Sequence, residues 1–254
     1  MVRDPRSILI TGASSGIGAA LAVCYAARGT HLALGGRDAE RLERVADQCR
    51  AAGAEVTAAI VDVTDGAVTA QWIDATDAHR PIDLAFANAG VALGTREVGD
   101  LDRVAAGTFA VNVDGVFNTV HPVLRHMAGR GAGQIALVSS LAGFRGMPSS
   151  PAYCASKAAV RSYGEALRGW AGRHGVQVSV VCPGFVRSGI TAQNRFPMPF
   201  LMDADRAASI IRRGLSRNRG RIAFPWPMYA VVWLMNALPS GLVDLMSNRL
   251  PDKT

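Results

Sequence analysis

Six short runs made almost wholly of apolar and small residues recur along the chain, with longer amphipathic stretches between them. They are SILITG (7–12), HLALGG (31–36), EVTAAIVDV (55–63), IDLAFANAG (82–90), QIALVSS (134–140) and VQVSVVCPG (176–184). A strand with one wet face alternates apolar and polar residues. Runs this continuously apolar belong to strands covered on both faces, and helices between them supply the cover. The pattern predicts an α/β fold: a doubly wound parallel sheet in three layers, α/β/α, forming a single domain over residues 1–254. A first helix is expected from about Gly16 to Arg28. A second, AERLERVADQCRAAG, is expected to stop at Gly53.

With 254 residues the chain can bury most of its unfolded surface without staples. The four cysteines show no paired spacing, and strand-like sequence begins by Ser7, so no secretory leader is expected. A reduced, cytoplasmic protein is expected. The balance is basic, 27 Lys+Arg against 20 Asp+Glu, but no basic run is interleaved with aromatics, so nucleic acid is not an expected partner. His121 and His126 lie five apart, on different helix faces, and no histidine spacing matches a metal motif; no metal is expected.

In doubly wound sheets ligands sit beyond the carboxyl ends of the strands. Those ends read Gly12-Ala-Ser-Ser, Gly36-Arg37, Asp62-Val63, Asn88-Ala89-Gly90, Ser139-Ser140 and Pro183-Gly184. Turns require small and polar residues anyway, but six such ends in succession favour a continuous ligand crevice. The first end, TGASSGIG (11–18), runs from a strand into a helix. Its spacing is G-x-x-x-G-x-G, not the G-x-G-x-x-G of the dinucleotide fingerprint. Backbone N–H groups and the helix N-terminus still favour an anion there, and Ser14 and Ser15 add hydroxyl donors.

TGASSGIG resembles the T-G-x-x-x-G-x-G loop of short-chain dehydrogenases/reductases, classical type. Four further motifs follow in that family's order: ANAG (87–90) is similar to its N-N-A-G strand end, VSS to its serine strand, YCASK (153–157) to its Y-x-x-x-K helix, and CPG to its P-G turn. The resemblance spans roughly residues 7 to 190. It implies a Rossmann fold, a nicotinamide cofactor and a catalytic set of Asn112, Ser140, Tyr153 and Lys157.

The residues bear independent reading. Tyr153 and Lys157 are four apart in good helix sequence, with Ser149 or Ser150 as candidate caps, so ammonium and phenol share a face. A phenol titrates near 10, too high for proton transfer at neutral pH. A neighbouring positive charge is expected to lower it. Ser140 precedes Tyr153 by 13 residues and is expected to hold the substrate carbonyl, with Ser139 structural and on the opposite face. Asn112, within FAVNVDGVF, is costly in a helix; the resemblance implies that it supports Lys157 through a water relay.

For the cofactor, the resemblance implies contacts from Gly12, Ser14, Ser15, Gly16, Ile17, Gly18, Asn88, Ala89, Gly90, Tyr153, Lys157, Pro183, Gly184, Val186 and Ser188, with Asp62 and Val63 at the adenine. The position that carries an acid in NAD readers is Gly36, followed by Arg37. An arginine suits a 2′-phosphate and an acid repels it, so NADP is expected over NAD. Asp38 comes one step late to be that acid. Two positions depart from the family pattern: Ala87 replaces an asparagine, which is expected to loosen a hydrogen bond between neighbouring strands but leaves Asn88 in place, and Ser188 replaces a threonine but keeps the hydroxyl.

The segment 187–254 is expected to form a substrate loop and an apolar C-terminal stretch. Trp226 and Trp233 lie in it, close to several arginines. Its longest apolar run, Met228–Met235, is too short to span a bilayer. A subunit interface, a lid or peripheral membrane contact would each use such a surface. All three suit a hydrophobic small-molecule substrate, and a homodimer or homotetramer is expected. The expected function is hydride transfer between NADP(H) and a carbonyl or secondary alcohol. An NADP-binding regulator without turnover is the alternative, disfavoured by the full catalytic set. A nucleotide-sugar epimerase would need a larger C-terminal domain than remains after the P-G turn.

Overall fold

The structure is a computed structural model that describes residues 4–93, 98–193 and 196–239. Seven strands form one parallel sheet: β1 (Ser7–Thr11), β2 (His31–Gly36), β3 (Glu55–Ile60), β4 (Leu84–Ala87), β5 (Gly133–Val138), β6 (Val176–Pro183) and β7 (Arg221–Phe224). Their order in space is β3-β2-β1-β4-β5-β6-β7. The chain thus starts in the middle, builds to one edge, crosses back and builds to the other. The seventh strand lies beyond the six read from the sequence. It is only four residues long and opens on an exposed arginine, too short to announce itself.

Side-chain alternation along each strand divides the core in two. Ile8, Ile10, Leu32, Leu34, Leu84 and Phe86 point to one face. Helices α1 (Gly16–Tyr25), α2 (Ala39–Ala51) and α7 (Ala204–Ser216) cover that face. Leu9, Ala33, Ala85, Ala87, Ile135 and Leu137 point to the other. There α3 (Gly66–His79), α5 (Gly115–Gly129) and α6 (Pro151–Gly172) pack. Each fully buried Leu, Ile or Phe contributes about 1.5–3 kcal/mol, which is why both faces carry helices.

Local chemistry sets the helix starts. Asp38 caps α2, accepting from Arg41 N at 2.9 Å, and Asp65 caps α3, accepting from Val68 N at 3.0 Å. Ser150 occupies the cap position of α6 but makes no capping bond; its hydroxyl donates to the Ser149 carbonyl, and Pro151 opens the helix in its place. α1 ends at Tyr25, earlier than the pattern suggests, because Ala26 turns to extended backbone. The helix containing Asn112 is interrupted. Between α4 (Leu101–Phe109) and α5, residues Ala110–Asp114 form a π-helical turn, a rare geometry found mostly at functional sites.

After β7 the chain forms α8 (Trp226–Ala237). Met228, Tyr229 and Val232 pack beside Leu141, Phe144 and Cys182, while Trp226, Val231, Trp233 and Leu234 stay exposed. Among the described residues no helix is long and apolar enough to cross a membrane. The part of the apolar C-terminal segment from residue 240 onward lies outside the described residues, as do residues 194 and 195 of the expected substrate loop.

Candidate active site

A cavity of about 500 Å³ opens along the carboxyl ends of the strands, where the topology reverses between β1 and β4. The glycine loop forms one wall, with Gly12, Ser14, Ser15, Gly16 and Ile17 all on the lining. Gly16 has φ +56°, and a Cβ there would come within 2.9 Å of Ser188 Cβ. The loop therefore needs a residue without a side chain to close on the opposite wall. Gly18 lies beneath the lining. A Cβ on it would approach the Gly12 carbonyl oxygen to 2.3 Å and Asn88 Nδ2 to 2.6 Å. Its part is to let α1 seat against the loop.

The end of β4 holds that loop in place. Asn88 Nδ2 donates to the carbonyls of Thr11 and Gly12 at 2.9 and 3.2 Å, and Thr11 Oγ1 accepts from the backbone N–H groups of Asn88 and Ala89. Thr11 is buried and acts as the reciprocal half of this clamp. Sequence reading passed over it, because a threonine at a strand end looks like any β-branched residue.

At the far end of the lining stand Ser140, Tyr153 and Lys157. Ser140 follows β5, and its Oγ accepts from Ala142 N at 3.1 Å, pinning the hydroxyl at the rim. Ser139 faces away, as the pleat requires, and donates to the Lys157 carbonyl at 2.7 Å. Tyr153 and Lys157 lie one turn apart on α6, with the ammonium 5.8 Å from the phenol ring centre. Lys157 Nζ is buried and donates to the Val138 carbonyl at 3.0 Å. Burial lowers its pKa to about 8.

The phenol behaves differently from the sequence expectation. The residue is only partly buried, yet desolvation dominates and raises the Tyr153 pKa, against a smaller lowering by its hydrogen bond with the Ser140 hydroxyl.

Asn112 stands behind the lining and is fully buried. Its Oδ1 accepts from Val91 N at 2.8 Å, and its Nδ2 donates to Val91 O at 2.9 Å and to Ser156 Oγ at 3.0 Å. The side chain is committed to bracing the chain after β4 against α6. A Cβ on Gly90 would touch both Asn112 Oδ1, at 3.2 Å, and Lys157 Nζ, at 3.3 Å. The two groups thus flank one glycine.

At the other end, Arg37 and Asp62 line the cavity, with Arg37 Nη1 3.6 Å from the Asp62 carboxylate. Asp62 accepts from the Thr64 N–H and hydroxyl, and these bonds with the nearby Arg37 lower its pKa. Val63, Ala89, Gly90, Pro183, Gly184, Val186 and Ser188 also line the wall. The lining further includes Gly36, Asp38, Arg41, Val91, Ile190 and Thr191. Arg41 and Thr191 carried no strand-end signal, since one sits in a helix and the other beyond Ser188, past the last strand end read from the sequence. That loop is pinched at its base. Arg187 N donates to Met202 O at 2.9 Å, and Met202 N to Phe185 O at 3.0 Å.

The short chain dehydrogenase profile matches residues 6–197. An uncharacterized oxidoreductase of Myxococcus xanthus is 40% identical over 248 residues, covering 96% of this chain and 97% of the relative. The chain belongs to the short-chain dehydrogenase/reductase family. Among solved structures, a short-chain dehydrogenase/reductase from Burkholderia phymatum in complex with NAD is 29% identical, with a TM-score of 0.84 over 99% of this chain and 98% of that one. A short-chain dehydrogenase from Sphingobium yanoikuyae in complex with NADPH is 25% identical, with a TM-score of 0.81 over 96% of both chains. As a family member the protein is a nicotinamide-dependent oxidoreductase.

Proposed function

We propose that the protein transfers hydride between NADP(H) and the carbonyl or secondary alcohol of a hydrophobic substrate. The observation that carries this reading is the convergence of Ser140, Tyr153 and Lys157 on the same cavity as the glycine loop. The walls suit a dinucleotide: a loop of small residues leads into α1, and hydroxyls stand at Ser14, Ser15 and Ser188. Gly12, Ser14, Ser15, Gly16 and Ile17 would hold the pyrophosphate, with Asn88 and Gly18 keeping the loop in shape. Asp62 and Val63 would meet the adenine, Lys157 the nicotinamide ribose, and Pro183, Gly184, Val186 and Ser188 the carboxamide.

When bound, the nicotinamide supplies or accepts the hydride. The chain's own residues handle the oxygen. The Ser140 hydroxyl orients the substrate carbonyl, and the Tyr153 phenol gives its proton to that oxygen as charge develops there. A raised pKa keeps the phenol protonated near neutrality, the state a proton donor needs. Lys157 then stabilises the phenolate. Asn112 acts through position, fixing Val91 and α6 around Lys157.

The preference for NADP rests on Arg37, joined at the rim by Arg41. Asp38 also lines this end, but its two oxygens accept from the Arg41 N–H and guanidinium at 2.9 and 2.6 Å, which leaves it poorly placed to take ribose hydroxyls. The similar structures contain NADPH in one case and NAD in another. Hydrophobic substrate preference is supported by Val91 and Ile190 on the lining and by Leu93 and Phe200, exposed on neighbouring segments. The exposed face of α8 suits pairing with a second copy or closing over the substrate.

The test follows absorbance at 340 nm with NADPH and NADH in parallel, across ketones graded in apolar size. Turnover with NADPH that rises with apolarity and vanishes in Tyr153→Phe is the expected result. Arg37→Ala is expected to weaken NADPH about 10–100-fold, the loss of one or two charge-assisted hydrogen bonds, and to leave NADH unchanged. Equal losses for both cofactors would remove Arg37 from the reading.

A further inference from the structure

At the end of the sheet opposite the active site, three metal-ligating side chains meet. His31 begins β2, Glu55 begins β3, and His79 closes α3. His31 and Glu55 are register partners in adjacent parallel strands, so both side chains leave the same face of the sheet. α3 packs on that face and delivers His79. Each residue offers one ligand atom, and the three atoms lie within 4.8 Å of one another.

The arrangement of hydrogen bonds separates this trio from an ordinary surface ion pair. His31 is 1% exposed, and its Nδ1 has no hydrogen-bond partner among the described residues. A buried polar nitrogen left in that state costs roughly 1–3 kcal/mol, and native interiors rarely leave one without a reason. Its other nitrogen, Nε2, lies 3.1 Å from Thr57 Oγ1. If Nε2 carries the proton and donates it to Thr57, Nδ1 is left with a free lone pair. A metal-bound imidazole has the same arrangement: one nitrogen ligates and the other donates to an oxygen that fixes the ring. Glu55 is similarly divided. Its Oε1 lies 3.0 Å from His79 Nε2, and its Oε2 lies 3.9 Å from Arg80 Nη1, leaving one oxygen for a ligand and one for outer support.

We propose that His31, Glu55 and His79 form a binding site for a late first-row divalent cation, of which zinc is the type. Two imidazoles and one carboxylate are a typical three-residue donor set for zinc, with water completing a tetrahedron. Tetrahedral zinc at its usual bond lengths holds ligand atoms about 3.3 Å apart. The two exposed side chains, Glu55 and His79, have the freedom to close that gap onto the fixed His31. The site ties together the amino ends of β2 and β3 and the last turn of α3, so its occupancy stabilises the fold. It takes no part in the proposed redox chemistry. No spacing motif reveals it, because its members come from three separate elements.

The experiment uses the full chain stripped with a chelator and titrated with zinc alone, followed by calorimetry and thermal melting. One zinc per chain with a rise in melting temperature is expected. His79→Ala and Glu55→Gln, both at exposed positions, are expected to abolish the rise and weaken binding at least tenfold, and Cys24→Ser to leave both unchanged. Thr57→Val is expected to weaken binding about 10–100-fold by releasing the His31 ring. Turnover in His79→Ala should equal that of the parent. Cobalt gives an independent reading, since nitrogen and oxygen ligands in a tetrahedron produce visible bands without thiolate charge transfer. Absence of zinc uptake, uptake unaltered by His79→Ala, or a thiolate band would each overturn the proposal.

Discussion

Asn112 grips Val91 by both of its backbone groups, accepting from the N–H at 2.8 Å and donating to the carbonyl at 2.9 Å. One side chain thus replaces the hydrogen bonds that a strand neighbour would give, at the point where β4 has ended and the chain turns towards the cavity. The π-helical turn around residues 110–114 is what aims it there.

Replacing Asn112 with alanine leaves both Val91 groups and the Ser156 hydroxyl short of a partner. The expected cost is about 1–3 kcal/mol, read as a lower urea midpoint at unchanged slope. Activity should fall further than stability explains, because Lys157 loses its packing partner across Gly90. An unchanged midpoint would show that water replaces the amide without loss.

Lys157 is a burden on the folded state. Burial lowers its pKa from the ordinary 10.5 to about 8, so between those values the unfolded chain binds the proton more tightly. The penalty is present in full below about pH 8 and fades as pH rises towards 10.5. At about 1.4 kcal/mol per pH unit, its ceiling is about 3 kcal/mol, part of which the bond to the Val138 carbonyl offsets. Lys157→Met is therefore expected to be inactive yet more stable at pH 7, with the gap to the parent narrowing by about pH 10. Urea midpoints at the two pH values decide it, and a destabilised variant at pH 7 would refute the sign.

Gly18→Ala is expected to be disproportionately damaging for the addition of one methyl group. The new Cβ would overlap the Gly12 carbonyl oxygen, at 2.3 Å, and Asn88 Nδ2, at 2.6 Å. Both are anchored backbone or clamp atoms that cannot swing aside. A loss of about 1–3 kcal/mol follows from overpacking of this kind, together with weaker cofactor binding, measurable by quenching of protein fluorescence. Gly129→Ala, which meets no neighbour within 4 Å, is the control.

Much of this was legible in the chain because the information was local. A strand buried on both faces must be apolar throughout, so the central strands declared themselves; β3, an exposed edge strand, was legible from its β-branched and small residues alone. A loop that feeds a helix N-terminus needs small residues, so the glycine run was legible too. β7 escaped because four residues beside a helix carry almost no period. The phenol shifts the other way for a different reason: i, i+4 spacing predicts proximity on a helix face but says nothing about how deeply that face is buried, and burial raises the Tyr153 pKa. Asn112 was marked as out of place in a helix, yet its partners at Val91 and Ser156 depend on a π-turn that no spacing encodes.

The pinch at Phe185, Arg187 and Met202 has an evolutionary consequence. Two backbone hydrogen bonds hold Phe185 and Arg187 beside Met202, so the two ends of the intervening segment are tied together. Doubling the length of such a closed loop costs only about 0.6 kcal/mol in chain entropy. Insertions, deletions and replacements in the stretch beyond Thr191 should therefore cost the fold little, while Ser188, Ile190 and Thr191 keep their places on the cavity wall.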